Sequence, residues 1–341
     1  MMIKLTKVTA SAPGKVALFG EHAVVYGYPA MAGAIDRRVY VSVEERSDDL
    51  IKIHAMDLSV PGIVLTIGGT GKDVAVETDY RRIMDAVGYV RKAIEVTSNI
   101  CDLKKGVTVH IRSEMPVGAG LGTSAAVSVA TIMAYSAVGG HALNSEEVSA
   151  LGHRVELEVQ GAASPMDSAV AAHGGILLIR PMLREASLTP VKAELGLPLV
   201  VGYTPRECGT GEMLRRVRNL RDAAPESVDS ILCSIGKVVS EADSAMRSGD
   251  LRRVGMLMNV NHGLLESLGV STKKINEMVY SARSAGALGS KLTGAGGGGC
   301  MISLCPDREA EVMTAISVAG GTAFISSISS RGVCIEKGES I

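Results

Sequence analysis

Apolar and polar residues alternate along the first 45 residues of the chain, as they do in strands that bury one face. The same alternation recurs at intervals further along the sequence. It predicts strands over 8–12, 15–19, 39–44, 107–112, 174–180, 198–203, 322–328 and 332–336, with shorter strand-like pieces between 50 and 78. Near residue 295, a glycine-rich loop separates two further strand-like runs.

Between these strands, apolar residues recur at the 3.6-residue spacing of amphipathic helices. The spacing predicts helices over 79–98, 144–160, 225–247, 249–267, 272–286 and 307–318, and a buried helix that begins near residue 123. Asn144 with Glu147 three residues later predicts a capping box. Residues 181–196 have no such period and are predicted to be loop.

This order of elements predicts an α+β fold, with mixed or antiparallel sheets covered on one face by helices. A chain of 341 residues is long enough for two domains. We place the boundary in the aperiodic stretch, which gives an N-terminal domain over 1–190 and a C-terminal domain over 191–341.

Composition narrows the classes of function. Apolar residues make up 46% of the chain and charged residues 21%, which argues against disorder. The formal net charge is −1, so there is no general attraction to nucleic acid or to an anionic membrane. We therefore expect neither as a partner.

The cysteines and the N-terminal residues indicate a compartment. The six cysteines are scattered, with no CxxC pair and no zinc-ligand spacing, as is typical of reduced thiols in a cytosolic protein. The first 15 residues lack the apolar core of a signal peptide. The longest weakly polar run, 125–140, is shorter than the roughly 18–20 residues that span a membrane. We expect a cytoplasmic protein.

Three glycine-bearing segments concentrate the candidate chemistry: SAPGKVALFGEHAVVYG at 11–27, PVGAGLGTSAA at 116–126 and KLTGAGGGGC at 291–300. The second lies between a predicted strand and a predicted helix, so its amides lie at the positive end of that helix and suit a triphosphate. The Ser124 hydroxyl could reach a phosphate or its Mg²⁺. The alternative is a tight turn that binds nothing.

Neither of two common nucleotide motifs fits. The second segment is not a Walker A loop, which requires GxxxxGK[ST]. The third contains GxGxxG, but a strand-like run follows it where a dinucleotide site needs a helix. An NAD-dependent oxidoreductase is therefore a weak alternative.

In this order and spacing, the three segments resemble the motifs of the GHMP kinase superfamily, and APGKVALFGEHAVVYG resembles the first motif of its mevalonate kinase family. The resemblance extends from residue 10 to residue 300. It implies an N-terminal domain like ribosomal protein S5 domain 2, a ferredoxin-like C-terminal domain and an active site between them. It also implies ATP-dependent phosphorylation of the 5-hydroxyl of mevalonate, in the mevalonate pathway of isoprenoid biosynthesis.

The resemblance assigns roles to individual residues. Asp167 would be the catalytic carboxylate that accepts the hydroxyl proton, and Lys15 the cation beside it. Without the resemblance, Asp167 reads as a helix cap and Lys15 as an exposed strand lysine. The predicted phosphate-binding residues are Pro116, Gly118, Gly120, Leu121, Gly122, Thr123, Ser124 and Ala125.

The resemblance also implies contacts to a metal ion and to the substrate. Ser124 and a helical glutamate would hold Mg²⁺. Helix periodicity does not choose between Glu156 and Glu158, and the family spacing of eleven residues to the catalytic aspartate selects Glu156. Mevalonate would contact Glu21, His22 and Thr293, although a lone histidine such as His22 is otherwise more typical of a satisfied core residue.

Several alternatives stay open. Phosphomevalonate kinase, galactokinase and homoserine kinase share the fold but differ from this sequence in their first motifs. A catalytically silent sensor on the same fold would be expected to lose catalytic groups, and Lys15, Ser124, Glu156 and Asp167 are all present. A homodimer is expected at the level of the family.

Overall fold

The structure is a computed structural model that describes residues 6–55, 64–67, 74–77, 80–101, 106–116, 119–161, 164–182, 187–191 and 197–336. Within these ranges the strands are β1 (Lys7–Phe19), β2 (Ala30–Glu45), β3 (Ile51–Ala55), β4 (Val64–Ile67), β5 (Val74–Glu77), β6 (Val107–Ser113), β7 (Ile176–Arg180), β8 (Ser187–Val191), β9 (Pro198–Thr204), β10 (Gly289–Leu292), β11 (Gly299–Leu304), β12 (Thr322–Ser327) and β13 (Cys334–Ile335). The helices are α1 (Tyr80–Cys101), α2 (Thr123–Val138), α3 (Ser145–Gln160), α4 (Met166–His173), α5 (Thr210–Ala223), α6 (Pro225–Arg247), α7 (Leu251–Ser267), α8 (Lys273–Ser284) and α9 (Glu309–Val318).

The N-terminal domain is built on a mixed sheet. Its strands run in the order β13-β1-β2-β6-β3, and β7 pairs with β2 and carries β8 at its other edge. Only the β3–β6 pair among the described strands of this sheet is parallel. Helix α2 packs on β1 and β2 and contacts α1, α3 and α4. Nearly all its residues from Ala125 onward are buried, as the weakly polar sequence predicted.

Strand β1 is one long strand where the pattern predicted two. The register with β2 shifts between Pro13 and Lys15, because proline lacks an amide hydrogen and is tolerated at bulges. At Gly14 a Cβ atom would lie 2.0 Å from the Met115 sulfur and 3.0 Å from the Leu121 carbonyl oxygen, so a larger residue would displace the Met115 side chain. The bulge places Lys15 beside the second glycine segment, where its amide donates to the Leu121 carbonyl oxygen at 2.8 Å.

The C-terminal domain has a four-stranded antiparallel sheet in the order β10-β11-β9-β12, packed against α7, α8 and α9. This order is that of a ferredoxin-like fold, so the prediction of a two-domain α+β fold is confirmed. Helix α5 has no counterpart among the predicted helices, and β8 lies in a stretch predicted as loop.

The chain returns to the first sheet at its last described strand. Strand β13 pairs with β1 through Ser11 and Cys334. The Arg38 guanidinium, on β2, donates to the carbonyl oxygens of Arg331 and Gly332 at 3.0 and 2.7 Å. Residues from beyond the C-terminal sheet therefore complete the N-terminal one.

Among the residues that the structure describes, no helix combines the length and the apolar character needed to cross a membrane.

Candidate active site

A cleft of about 620 Å³ lies where the two domains meet. The predicted site residues that line it are Lys15, Glu21, His22, Gly120, Gly122, Thr123, Ser124, Ala125, Glu156 and Asp167. Of the other predicted residues, Pro116, Leu121 and Thr293 are not among the residues that line the cleft, and Gly118 lies outside the described residues. The fold thus brings together groups from three helices, a strand and two loops.

The second glycine segment ends at the N-terminus of α2. Gly120 and Gly122 have positive φ angles of 88° and 70°, a backbone conformation that suits glycine. They turn the chain so that α2 begins at Thr123 with Gly122 as its cap. The first amides of a helix have no partner within the helix and lie at the positive end of its dipole. This end of the cleft therefore suits an anion such as phosphate.

Lys15 and Asp167 form an ion pair on the wall of the cleft. The Lys15 ammonium lies 3.0 Å from Oδ1 of Asp167, and the two side chains are 11% and 33% exposed. Asp167 lies in the first turn of α4, a favourable place for a carboxylate at a helix N-terminus. The pair combines a carboxylate that can accept a proton with a cation that can stabilise developing negative charge.

Glu156 and Glu158, which helix periodicity could not distinguish, lie in different surroundings in the structure. Glu156 faces the cleft, and its Oε2 accepts a hydrogen bond from the Ser168 hydroxyl at 2.7 Å. Glu158 lies outside, in ion pairs with Arg154 at 2.8 Å and Lys92 at 3.3 Å. Burial, and then the nearby negative charge of Asp167, raises the pKa of Glu156 to about 7.

The oxygen atoms around Glu156 are of the kind that binds a divalent cation. Burial and, after it, the negative charge of Asp167 disfavour the ionised form of Glu156, and a nearby cation would favour that form. Carboxylate and hydroxyl oxygens are the ligands that Mg²⁺ prefers, completed by water and phosphate. Among the described residues, no group of three or more histidine, cysteine or acidic side chains is placed so that it could hold a metal ion by itself.

His22 has an unusual backbone and one unsatisfied nitrogen. Its φ is 62°, in a region that non-glycine residues seldom adopt. Its Nε2 donates to the carbonyl oxygen of Ala295 at 2.9 Å, while Nδ1 is buried with no hydrogen-bond partner. Burial lowers the pKa of His22, so the ring is a neutral acceptor at Nδ1.

The two other predicted substrate residues have protein partners. Both carboxylate oxygens of Glu21 are engaged, one by Lys291 and the other by Asn261. The Thr293 hydroxyl donates to the Ala17 carbonyl oxygen at 2.9 Å and accepts from the Ala17 amide at 2.8 Å.

Sequence reasoning missed three polar residues here. Arg206, after β9, lines the cleft, and a Cβ on Gly120 would lie 2.4 Å from its guanidinium nitrogen. Lys291 and Asn261 lie behind Glu21. Arg206 and Asn261 belong to no glycine segment, so no motif marks them. Lys291 opens the third segment, but the resemblance assigns it no role.

Models of known protein families match segments of both domains. Models described as the GHMP kinases N terminal domain and the GHMP kinases C terminal match residues 86–175 and 243–325. A galactokinase galactose-binding signature matches 4–45.

Among curated proteins, the mevalonate kinases of Thermococcus gammatolerans and Pyrococcus furiosus are 49% and 48% identical to this chain. Each comparison covers 97% of this chain and 99% of the relative.

Solved structures match over almost the whole chain. L. major mevalonate kinase in complex with R-mevalonate superposes with a TM-score of 0.83 at 25% identity, covering 96% of this chain and 98% of that one. The Methanococcus jannaschii mevalonate kinase gives a TM-score of 0.77 at 28% identity, covering 96% and 100%. Because relatives of 49% and 48% identity cover nearly its whole length, the chain belongs to the mevalonate kinase family of the GHMP kinases.

Proposed function

We propose that the chain transfers the terminal phosphoryl group of ATP to the 5-hydroxyl of mevalonate, giving 5-phosphomevalonate and ADP. The observation that carries the proposal is the Lys15–Asp167 pair, which shares one cleft with the N-terminus of α2. The choice of mevalonate is supported by the names of the full-length relatives and by the R-mevalonate complex of a similar structure.

In the proposed reaction, the substrate oxygen forms a bond to the terminal phosphorus as the bond from that phosphorus to the bridging oxygen of ADP breaks. Asp167 accepts the hydroxyl proton, and Lys15 stabilises the negative charge that develops on the attacking oxygen. The amides at the start of α2 hold the phosphates. The proposed phosphate contacts are Pro116, Gly118, Gly120, Leu121, Gly122, Thr123, Ser124 and Ala125.

Glu156 and Ser124 are the proposed protein ligands of Mg²⁺. A magnesium ion held there would supply charge neutralisation for the phosphates. Glu156 would hold it in its ionised form, so binding of the ion competes with protonation of this carboxylate.

His22 is the proposed direct contact of mevalonate. A neutral ring with a free acceptor nitrogen suits a substrate hydroxyl better than a carboxylate, which also accepts. Glu21 and Thr293 already have protein partners, so we propose that they act on the substrate through their neighbours.

The test is ADP release by the purified protein with Mg-ATP and, in parallel, mevalonate, phosphomevalonate, homoserine and galactose. Strong turnover with mevalonate alone is the expected result. Preference for another member of the panel would overturn the substrate assignment and keep the phosphate site. ATP binding without any turnover would overturn the proposed reaction in favour of a sensor.

Three further predictions accompany the proposal. The homodimer rests on the family resemblance, and light scattering of the purified protein tests it. The cytoplasmic location rests on the scattered cysteines, which have neither CxxC pairs nor zinc-ligand spacing. The domain boundary near residue 190 agrees with β8 pairing in the first sheet and β9 in the second.

A further inference from the structure

A buried ion pair joins the two domains beneath the cleft. Glu21 follows β1 in the N-terminal domain, and Lys291 lies on β10 in the C-terminal domain. The Lys291 side chain is 0% exposed and that of Glu21 is 3% exposed. Burying two charges is costly, and their attraction offsets the cost only when hydrogen bonds satisfy the remaining polar atoms. A pair this deeply buried therefore depends on its surroundings.

The surroundings supply those hydrogen bonds from the C-terminal domain. Oε1 of Glu21 contacts the Lys291 ammonium, and Oε2 accepts from the Asn261 amide at 3.1 Å. Lys291 also donates to the carbonyl oxygen of Leu292 at 2.7 Å. Asn261, on α7, is fully buried. Both carboxylate oxygens of Glu21 thus point at protein groups of the other domain.

Two residues that follow Lys291 in the chain also form hydrogen bonds with the N-terminal domain. Thr293 is hydrogen-bonded twice to Ala17, which lines the cleft. The carbonyl oxygen of Ala295 accepts from His22. An unfavourable φ such as that of His22 persists only where surrounding contacts fix it.

We infer that Glu21, Lys291 and Asn261 form a positioning unit that fixes His22 for the substrate, and that Glu21 is not itself a substrate ligand. The inference rests on the proposed function for its substrate. It predicts that loss of the unit weakens mevalonate binding while the phosphate site at α2, which it does not touch, keeps its affinity for ATP.

A double-mutant cycle separates positioning from direct contact. The variants are Glu21→Gln, Lys291→Met and both together, and the readouts are KM for mevalonate, KM for ATP and kcat. The double variant removes both charges and leaves no unpaired charge buried. A lost hydrogen bond of ordinary strength corresponds to about a tenfold change, so we expect KM for mevalonate to rise about tenfold in Glu21→Gln.

In the Lys291→Met background, Glu21→Gln should then change KM for mevalonate less than about twofold, because coupled residues are not additive. KM for ATP should stay within about twofold throughout. An equal effect of Glu21→Gln in both backgrounds would mark Glu21 as a direct ligand and overturn the inference. Equal increases in both KM values, or no change in either, would also overturn it.

Asn261→Ala provides a variant that changes no charge, in case the charge variants do not fold. It should raise KM for mevalonate selectively, and an unchanged KM would contradict the inference. The matched control is Asp243→Asn with Arg247→Met, which removes a surface ion pair of 2.9 Å on α6. Its kinetics should equal those of the wild type.

A structural readout is independent of the reaction. The ¹⁵N resonances of the His22 ring can be assigned because they disappear in His22→Gln. They should show a single tautomer of the ring in the wild type and exchange between the two tautomers in Asn261→Ala. A wild type that does not turn over mevalonate would overturn the proposed function, and the resonances would still decide the positioning role. Identical His22 spectra in the two proteins would overturn that role.

Discussion

The ammonium of Lys15 lies 3.0 Å from a carboxylate oxygen of Asp167, although one residue lies on β1 and the other on α4. The contact depends on the bulge at Pro13 and on the start of α4 at Met166. The proposed base for the hydroxyl proton and the proposed cation for the attacking oxygen are therefore already in contact without substrate.

Asp167→Asn should lower kcat by about three orders of magnitude, because an amide cannot accept the hydroxyl proton and general-base catalysis contributes about 10²–10⁴-fold. The measurements are kcat and the unfolding midpoint, which should change little. Asp222→Asn on exposed α5 is the control and should behave as the wild type. Turnover near that of the wild type in Asp167→Asn would exclude it as the base.

Glu156→Gln should raise the Mg²⁺ concentration needed for half-maximal activity by at least about tenfold, since losing even a supporting group of a metal site has that effect. Glu158→Gln is the matched control two residues away on the same helix. It removes only the exposed ion pairs to Arg154 and Lys92, so its Mg²⁺ requirement should not change. The reverse outcome would assign the metal to Glu158.

Gly122→Ala tests the close approach of Lys15 to the second glycine segment. An added Cβ would lie 2.7 Å from Cγ of Lys15, at a φ of +70°. Gly140→Ala is the control, because its φ is +83° and nothing lies within 4 Å of the added atom. Each variant should lose about 1–2 kcal/mol of stability from its backbone. Only Gly122→Ala should also lose kcat, and an equal loss of activity in both would contradict this role of the contact.

His262 should make stability depend on pH. The ring is fully buried, and its Nδ1 accepts from the Leu292 amide at 3.3 Å. Burial first, and then the charges of Arg283 and Lys291, lowers the pKa of His262 to about 4. The unfolded chain binds a proton below about pH 6.5 that the folded chain does not, so stability falls as the pH drops from that value towards 4.

The free energy of unfolding in urea at pH 7, 6 and 5 measures this effect. His262 contributes a slope of up to about 1.4 kcal/mol per pH unit at the steepest point. His262→Gln keeps an acceptor for the Leu292 amide without titrating, and its slope should be shallower than that of the wild type. Identical slopes in the two proteins would show that His262 does not control the pH dependence of stability between pH 7 and pH 5.

Local signals predicted much of the fold. Asn144 and Glu147 form the expected capping box at the start of α3. Helix α2 begins at Thr123, as the glycine segment indicated. The long helices α6, α7 and α8 fall within a few residues of their predicted bounds. In each case the interactions that determine the element are between residues close in sequence, so the local sequence pattern is enough to predict it.

The remaining elements divide into one that the pattern does carry and others that depend on distant contacts. Helix α5 has Met213, Val217 and Leu220 at helical spacing, so its sequence holds the signal although it is absent from the predicted helices. Strand β8 is short, contains Pro190 and is defined by pairing with β7. The partners of Glu21 lie 240 and 270 residues away in sequence, where no local pattern could indicate them.

The return of β13 to β1 has a consequence for biosynthesis. A ribosome delivers the strands of the first sheet early, but the outer edge of β1 stays unpaired until Cys334 and the residues around it emerge. An open strand edge is a template for pairing with other chains. The nascent N-terminal half is therefore most exposed to misassembly while the C-terminal domain is being made. Proteolytic removal of β13 would reopen the same edge of β1 in the finished protein.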